Sequence, residues 1–346
     1  MSDYDAGPVA ALRRIAFLLE RAREDTYKVK AFRGAAATIL ALSPDELERH
    51  VAEGTLTDLP GIGASSAKLV ASAVRGELPE RLLKAERDLA GPLTDDGAGE
   101  ELRSQLRGDL HSHSDWSDGG SPIEEMAFTA IELGHDYLVL TDHSPRLRIA
   151  HGLSAERLTR QLGVVDAVNT HLSGSGFTLL KGIEVDILDD GSLDQTDELL
   201  DLLDVRVASV HSKLAMDASA MTRRMVAAIR NPRTNVLGHC TGRLVTGGRG
   251  TRAQSQFDAR AVFEAAAEHD VAIEINSRPE RRDPPTRLLE LARDAGCVFS
   301  IDSDAHAPGQ LDFLVLGCER AEGAGIDADR IVNTWPQERL LSWSRK

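Results

Sequence analysis

Seven short apolar runs in this 346-residue sequence carry its chemistry at their ends. They read DLHSH (Asp109–His113), LVLTDH (Leu138–His143), LLKGIEVD (Leu179–Asp186), VRVASVH (Val205–His211), NVLGH (Asn235–His239), AIEIN (Ala272–Asn276) and VFSIDSDAH (Val298–His306). Six of the seven deliver a possible metal ligand at or just past the C-terminal end. His111 and His113 alternate along one strand end, so both face the same way. Asp304 and His306 repeat that arrangement in the last run, while His143, Glu184, His211 and His239 each close a separate run. Asp118, in the loop WSDGG, is within reach of the same face. Imidazoles mixed with carboxylates suit Zn²⁺, Mn²⁺ or Fe²⁺. Such ions lower the pKa of a bound water and stabilise charge on phosphoryl oxygens.

Residues that share one structural address need one scaffold to supply it. From about Arg107 onward, apolar runs alternate with helical stretches such as SPIEEMAFTAIELG and DARAVFEAAAEHD. That is the β–α alternation of a parallel sheet or barrel, whose functional face lies at the strand C-termini. His50, His135, His171 and His269 lie in helical stretches or a polar loop and are read as surface or core residues. Residues 8–90 read as helical throughout, with Leu12, Ile15, Leu18 and Leu19 at helical spacing and Pro44 opening a third helix. The Gly- and Asp-rich stretch GPLTDDGAGEEL has no apolar period. The expected organisation is a helical domain over residues 1–90, a linker over 91–106 and an α/β domain over 107–346.

The net charge of -15 argues against a general polyanion binder. Three scattered cysteines exclude a disulfide framework and a zinc ribbon. The N-terminus lacks the basic start and apolar core of a signal peptide, and no run approaches the length of a membrane span. The expectation is a soluble, cytoplasmic protein without a membrane partner.

The stretches WSDGG, EEMAFTAIELGHDYLVLTDHS, LKGIEVDIL, GHCTGRL, DSDAHAPGQLDF and the terminal NTWPQERLLSWSRK resemble the PHP (polymerase and histidinol phosphatase) superfamily of metal-dependent phosphoesterases. The likeness covers residues 107–346 and is greatest to the PHP domain of bacterial family X DNA polymerases. Residues 8–90, through YKVKAFRGAA and LPGIG, are similar to that family's N-terminal helix–hairpin–helix domain. The resemblance implies a distorted (β/α)7 TIM-like barrel holding three divalent ions. It assigns His111, His113, Glu184 and Asp304 to one ion, Glu184, His211 and His239 to a second, and Asp118, His143 and His306 to a third. Hydrolysis would proceed by in-line attack of a metal-activated hydroxide on phosphorus. Arg148, Lys213 and Arg243 follow the ligand motifs closely and are candidates for substrate phosphate. Asp142 is a candidate orienter of an imidazole or a helix cap, and Asn276 a candidate substrate contact.

The family's polymerases place a nucleotidyl-transfer palm between the two parts. Here only the short linker stands in that place, so no polymerase activity is expected. LPGIG before a helix fits a hairpin that lets backbone N–H groups approach a phosphate. Residues 11–33 hold seven basic residues against three acidic ones, a local excess of four. Lys28 and Phe32 match family contacts to a DNA 5′-phosphate, and Arg33, Gly61, Gly63 and Lys68 complete the candidate DNA surface. Where family members with lyase activity have a Schiff-base lysine, this chain has Leu69. The leading expectation is a DNA end-processing phosphoesterase: a 3′–5′ exonuclease, 3′-phosphatase or abasic-site enzyme. The alternatives are a phosphatase of a small ester, such as histidinol phosphate or a nucleotide, and a non-catalytic DNA-binding module.

Overall fold

The computed structural model describes residues 7–247 and 250–345, which form two compact units divided between Pro92 and Leu93. The first is all-helical: α1 (Gly7–Arg21), α2 (Thr26–Leu40), α3 (Pro44–Glu53), α4 (Ala64–Val74) and α5 (Glu80–Leu89). Each boundary has a local cause. The Asp25 side chain accepts from Tyr27 N to start α2. Ser43 and Glu46 form a reciprocal capping box at α3, which Gly54 ends in the left-handed conformation. Leu12, Ile15, Leu18, Phe32, Ile39, Leu69 and Leu82 are buried together as this unit's core residues.

The second unit is a parallel barrel of seven strands in sequence order: β1 (Gly108–Ser112), β2 (Tyr137–Leu140), β3 (Thr178–Asp186), β4 (Val205–Ser209), β5 (Val236–Leu237), β6 (Ala272–Asn276) and β7 (Phe299–Asp302). All six neighbouring pairs are parallel. Between them run helices such as Ile123–Glu132, Ala155–His171, Ala218–Ile229 and Ala259–Glu268. Tyr137, Val139, Leu180, Val205, Val207, Val236 and Ala272 pack one apolar layer, joined by Trp335, Leu340 and Trp343 of the C-terminal segment. The strand-end histidines and carboxylates lie toward the other end of the same strands.

Side chains, not a backbone ladder, close the seam between β7 and β1. Leu110 N donates to Asp302 Oδ1 at 3.0 Å, and Ser303 N donates to Asp109 Oδ1 at 3.2 Å. Asn333 spans both strands, donating to Gly108 O (3.2 Å) and Ile301 O (2.9 Å) and accepting from Ile301 N (2.8 Å). A single parallel bridge, Ser112 to Ala305, continues the closure.

Part of the stretch expected as linker is structured. Glu100–Arg103 is a short helix, and Leu102 and Leu106 are buried in the barrel's outer core. Gly99 N and Leu102 N donate to the Glu322 carboxylate at 2.9 and 3.3 Å. The buried leucines are four residues apart, too short a segment to register as a period.

Candidate metal centre

The first strand pair shifts register between Asp109 and Ser112, an extra residue of the β-bulge kind. Consequently Leu110 packs in the interior layer while its neighbour His111 also turns inward. The bulge thus re-aims His111 and His113 into the barrel mouth. Glu184 enters from β3, His143 follows β2, His211 follows β4 and His239 follows β5. Asp304 and His306 follow β7, Asp304 holding a left-handed backbone conformation (φ 51°). Asp118 comes from the loop after β1. That loop folds back so tightly that a Cβ on Gly119 would lie 2.6 Å from the Ser114 backbone. The loop is pinned by Asp142, which accepts from Ser114 N, Ser114 Oγ, Ser117 Oγ and Gln161 Nε2 at 2.5–2.8 Å. Asp142 is therefore neither the imidazole orienter nor the helix cap expected from sequence.

All nine candidate ligands converge. Glu184 is the hub: its Oε2 lies 3.3 Å from His111 Nε2, 3.5 Å from His113 Nε2 and 2.9 Å from His143 Nδ1. Its Oε1 lies 3.1 Å from His211 Nε2 and 2.8 Å from His239 Nε2. Asp118 Oδ1 is 3.4 Å from His143 Nε2 and 3.3 Å from His306 Nε2. Asp304 Oδ1 is 3.4 Å from His113 Nε2. In a tetrahedral site with bonds of about 2.0–2.1 Å, adjacent ligand atoms stand about 3.3 Å apart, so most of these separations fit donors around an ion.

Two further observations fit the same chemistry. His111 Nε2, His113 Nε2, Asp118 Oδ1, His143 Nδ1, Glu184 Oε2 and His211 Nε2 are buried without a hydrogen-bond partner, a costly state that an ion relieves. Meanwhile two of the opposite ring nitrogens are held by carboxylates: His111 Nδ1 is 2.5 Å from Glu274 Oε1 and His211 Nδ1 is 2.9 Å from Asp186 Oδ1. Such outer partners fix the tautomer and leave Nε2 as the donor atom.

Three donor groups are compact: His113, Asp118, His143 and His306; His111, His113 and Asp304; and His143, Glu184 and His211. The clusters are consistent with a multinuclear metal site. They share His113 and His143 between groups, unlike the partition implied by resemblance, and His239 stands apart, facing Glu184 Oε1. Electrostatics favour cations here. Burial would raise the Glu184 carboxyl, but His211, His111 and His143 outweigh it and hold it well below the carboxylate range. Asp304 is likewise held down against its burial, by Arg278, Arg281 and His113. Burial, with His306 and His143 nearby, pushes His113 down to about 3, which keeps its imidazole neutral. His143 rises to about 10 despite burial, because Glu184 and Asp118 face it.

A cavity of about 660 Å³ opens over these residues, and Arg252, Arg278 and Arg281 are on its wall. Arg281 Nε donates to Asp304 Oδ2 at 3.0 Å, and Arg278 Nη1 lies 3.0 Å from His306 Nδ1. Neither arginine was singled out in the sequence, although SRPERR follows a strand end as the ligand motifs do. The substrate candidates named from sequence lie elsewhere. Arg243 Nε donates to Arg281 O at 3.1 Å and its Nη2 to Arg282 O, so it braces the loop after β6. Lys213 Nζ is tied to Asp189 Oδ2 at 2.5 Å. Arg148 is exposed on a loop whose neighbours Leu147 and Ile149 line the cavity. Asn276 is fully buried and donates to Glu274 Oε2 and Asp304 Oδ2, so it orients carboxylates and does not meet substrate.

In the helical unit the candidate DNA residues divide. Gly61 takes a φ of 73° in the hairpin between α3 and α4, and Thr38 Oγ1 donates to Pro60 O at 2.8 Å to hold the turn. Gly63 caps α4, its N–H donating to Ser66 Oγ. Lys68 is exposed, 3.7 Å from Glu80, and Lys28 pairs with Glu24 at 2.7 Å on the surface. Two residues are not available to DNA. Phe32 is 4% exposed in the helical core beneath Arg81. Arg33 makes a two-pronged, nearly buried pair with Glu20 at 2.9 and 2.8 Å. Arg14 and Arg21 are likewise engaged, with Glu86 and Leu89 O. Much of the local basic excess is thus spent inside the domain. Leu69 is buried in the helical core.

A parallel barrel with a multi-donor site at its strand C-termini is an arrangement suited to metal-dependent catalysis. Residues 109–278 match the PHP domain model, and residues 6–77 match the helix-hairpin-helix domain model. The chain is 38% identical to the DNA polymerase/3′-5′ exonuclease PolX of Bacillus subtilis over 229 residues, covering 66% of this chain but 39% of that protein. It is 27% identical to the probable phosphatase YcdX of Escherichia coli K12, over 68% of this chain and 92% of that protein. A solved histidinol phosphate phosphatase from Lactococcus lactis aligns over 64% of this chain and 95% of its own, with 17% identity and a TM-score of 0.47. The chain carries a PHP domain in the barrel, preceded in sequence by a helix–hairpin–helix domain. No helix among the described residues is long and apolar enough to cross a membrane.

Proposed function

We propose that this chain hydrolyses phosphoester bonds at DNA ends, as a 3′–5′ exonuclease, 3′-phosphatase or abasic-site enzyme, without polymerase activity. The observation that carries the hydrolytic part is the Glu184 carboxylate facing five imidazoles, with Asp118, Asp304 and His306 completing the ring. In this reading three divalent ions, Zn²⁺, Mn²⁺ or Fe²⁺, are held by His111, His113, Asp118, His143, Glu184, His211, His239, Asp304 and His306. Bound there, such ions supply Lewis acidity that activates water and stabilises phosphoryl charge. The protein's own part is positioning. Glu274 and Asp186 fix the His111 and His211 rings. Arg278 and Arg281 present guanidinium groups to the cavity, where they neutralise substrate phosphate. Arg148 is placed to meet a phosphate outside it.

Support for DNA comes from the helix–hairpin–helix match and from the B. subtilis exonuclease relative. Lys28, Gly61, Gly63 and Lys68 form the proposed DNA surface. The internal pairing of Arg14, Arg21 and Arg33 favours a second reading, a phosphatase of a small ester in the cytoplasm, as does the E. coli relative. One assay separates them: full-length protein with Mn²⁺ on 3′-labelled primer-template, a 3′-phosphate oligonucleotide and histidinol phosphate. Turnover of either DNA substrate supports the DNA reading, and turnover confined to histidinol phosphate replaces it with the second. Lys28→Glu with Lys68→Glu is expected to weaken primer-template binding and flatten its log–log salt slope by about two. An unchanged slope removes these lysines from the DNA surface.

A further inference from the structure

The cavity over the metal-ligand residues has two chemically different walls. Arg278 and Arg281, from the loop after β6, make one side cationic. Leu147 and Ile149, from the loop after β2, make an apolar lip. Ile149 is 90% exposed, more than the other large exposed hydrophobic residues described, though it stands at the mouth of a polar site. Its loop is not loosely held. Arg146 N donates to Asp194 Oδ2 at 2.6 Å, Ala150 N and Gly152 N donate to Leu147 O at 3.0 and 3.2 Å, and Arg157 Nη1 donates to His151 O at 2.6 Å. The sequence Arg146-Leu147-Arg148-Ile149 interleaves two cavity-lining apolar residues with two exposed arginines. Arg148 has no side-chain hydrogen bond or ion pair among the described residues.

We propose that this lip receives the terminal nucleoside of a DNA strand whose 3′-terminal phosphodiester lies at the metal-ligand residues. Ile149 lies against the base, and Arg148 meets a phosphate further along the strand. The assignment rests on the phosphoesterase reading of the site. Charge complementarity selects the occupant. The cationic wall and the metal centre suffice for the phosphate of a small ester, and they leave an apolar lip flanked by outward guanidinium groups unused. A strand presents both an apolar base face and successive phosphates, which match an apolar side chain flanked by guanidinium groups. The cavity volume of about 660 Å³ is ample for one nucleotide.

The test compares two oligonucleotides that differ only at the 3′ end, one ending in an ordinary nucleotide and one in an abasic tetrahydrofuran residue. Full-length protein with Mn²⁺ should remove the ordinary terminus with the higher kcat/KM. In Ile149→Asp, and in the milder Ile149→Ser, that preference should fall about tenfold or more, the scale of an apolar contact in a pocket. Arg148→Ala should flatten the salt slope of oligonucleotide binding by about one. A preference that survives both Ile149 variants overturns the proposal. A sedimentation profile showing that Ile149→Asp dissociates an oligomer would do so too, by making the lip a contact between copies. If the wild-type protein cleaves neither oligonucleotide but turns over histidinol phosphate, the DNA reading itself fails and the lip's assignment goes with it.

Discussion

At the residue scale, the chemistry depends on Glu184 and on the groups that aim its neighbours. Glu274 is fully buried, holds His111 Nδ1 and accepts from His239 N and Asn276 Nδ2. Glu274→Gln should lower metal affinity or turnover about 10–100-fold while leaving the fold intact, the usual scale for an outer partner of a ligating imidazole. Metal titration followed by circular dichroism checks both halves, and an unaltered affinity would remove Glu274 from that role. His135 gives a pH-dependent prediction far from the site. Burial, and then the Arg103 guanidinium, push it down to about 3, with its Nε2 3.0 Å from Arg103. Its folded pKa lies below the unfolded value, so the unfolded chain binds more protons as pH falls below about 6.5. Stability from His135 is therefore present above that pH and declines by up to about 1.4 kcal/mol per pH unit between roughly 6.5 and 3. Urea denaturation at pH 7 and pH 5 should show a smaller acid loss in His135→Gln than in the wild type, and equal losses would contradict the assignment. The ligands were legible because they repeat at strand ends. Glu274 and Asp186 were not, because a carboxylate inside an apolar run shows its partner only once the strands are adjacent. Arg278 and Arg281 were hidden by similar arginines nearby, Arg243 among them, whose guanidinium turns to backbone carbonyls instead.

At the element scale, seven strands in sequence order were readable from apolar runs and turns, but the means of closure was not. The β1–β7 seam depends on Asn333, a residue of the C-terminal segment that bonds both strands and also Asp302 Oδ1. Asn333→Ala leaves several buried backbone groups unsatisfied, so a loss of roughly 3 kcal/mol is expected. Urea unfolding of the barrel should show it, and a loss below about 0.5 kcal/mol would mean that the seam is closed by other contacts. The bulge in β1 was equally hidden. Alternation predicts that His111 and His113 share a face, and they do, but only the extra residue lets Leu110 and His111 both turn inward. The helical unit teaches the reverse lesson. Its third helix and hairpin were visible as Pro44 and LPGIG, whereas the Ser43–Glu46 capping box went unread and the roles of Phe32 and Arg33 changed once burial and the Glu20 pair were seen.

At the scale of the whole molecule, a PHP barrel is preceded by a helical unit that matches a helix–hairpin–helix domain. The chain spans 39% of the length of its B. subtilis relative. In the barrel, nine donors from six strand ends and one loop reach one place. The most direct test is metal content per chain by inductively coupled plasma mass spectrometry, on wild type and Glu184→Gln after identical loading with Mn²⁺ or Zn²⁺ and removal of free ions. The account predicts close to three equivalents in the wild type and the loss of at least one in the variant. Less than one equivalent in the wild type, or a full complement in Glu184→Gln, would contradict it.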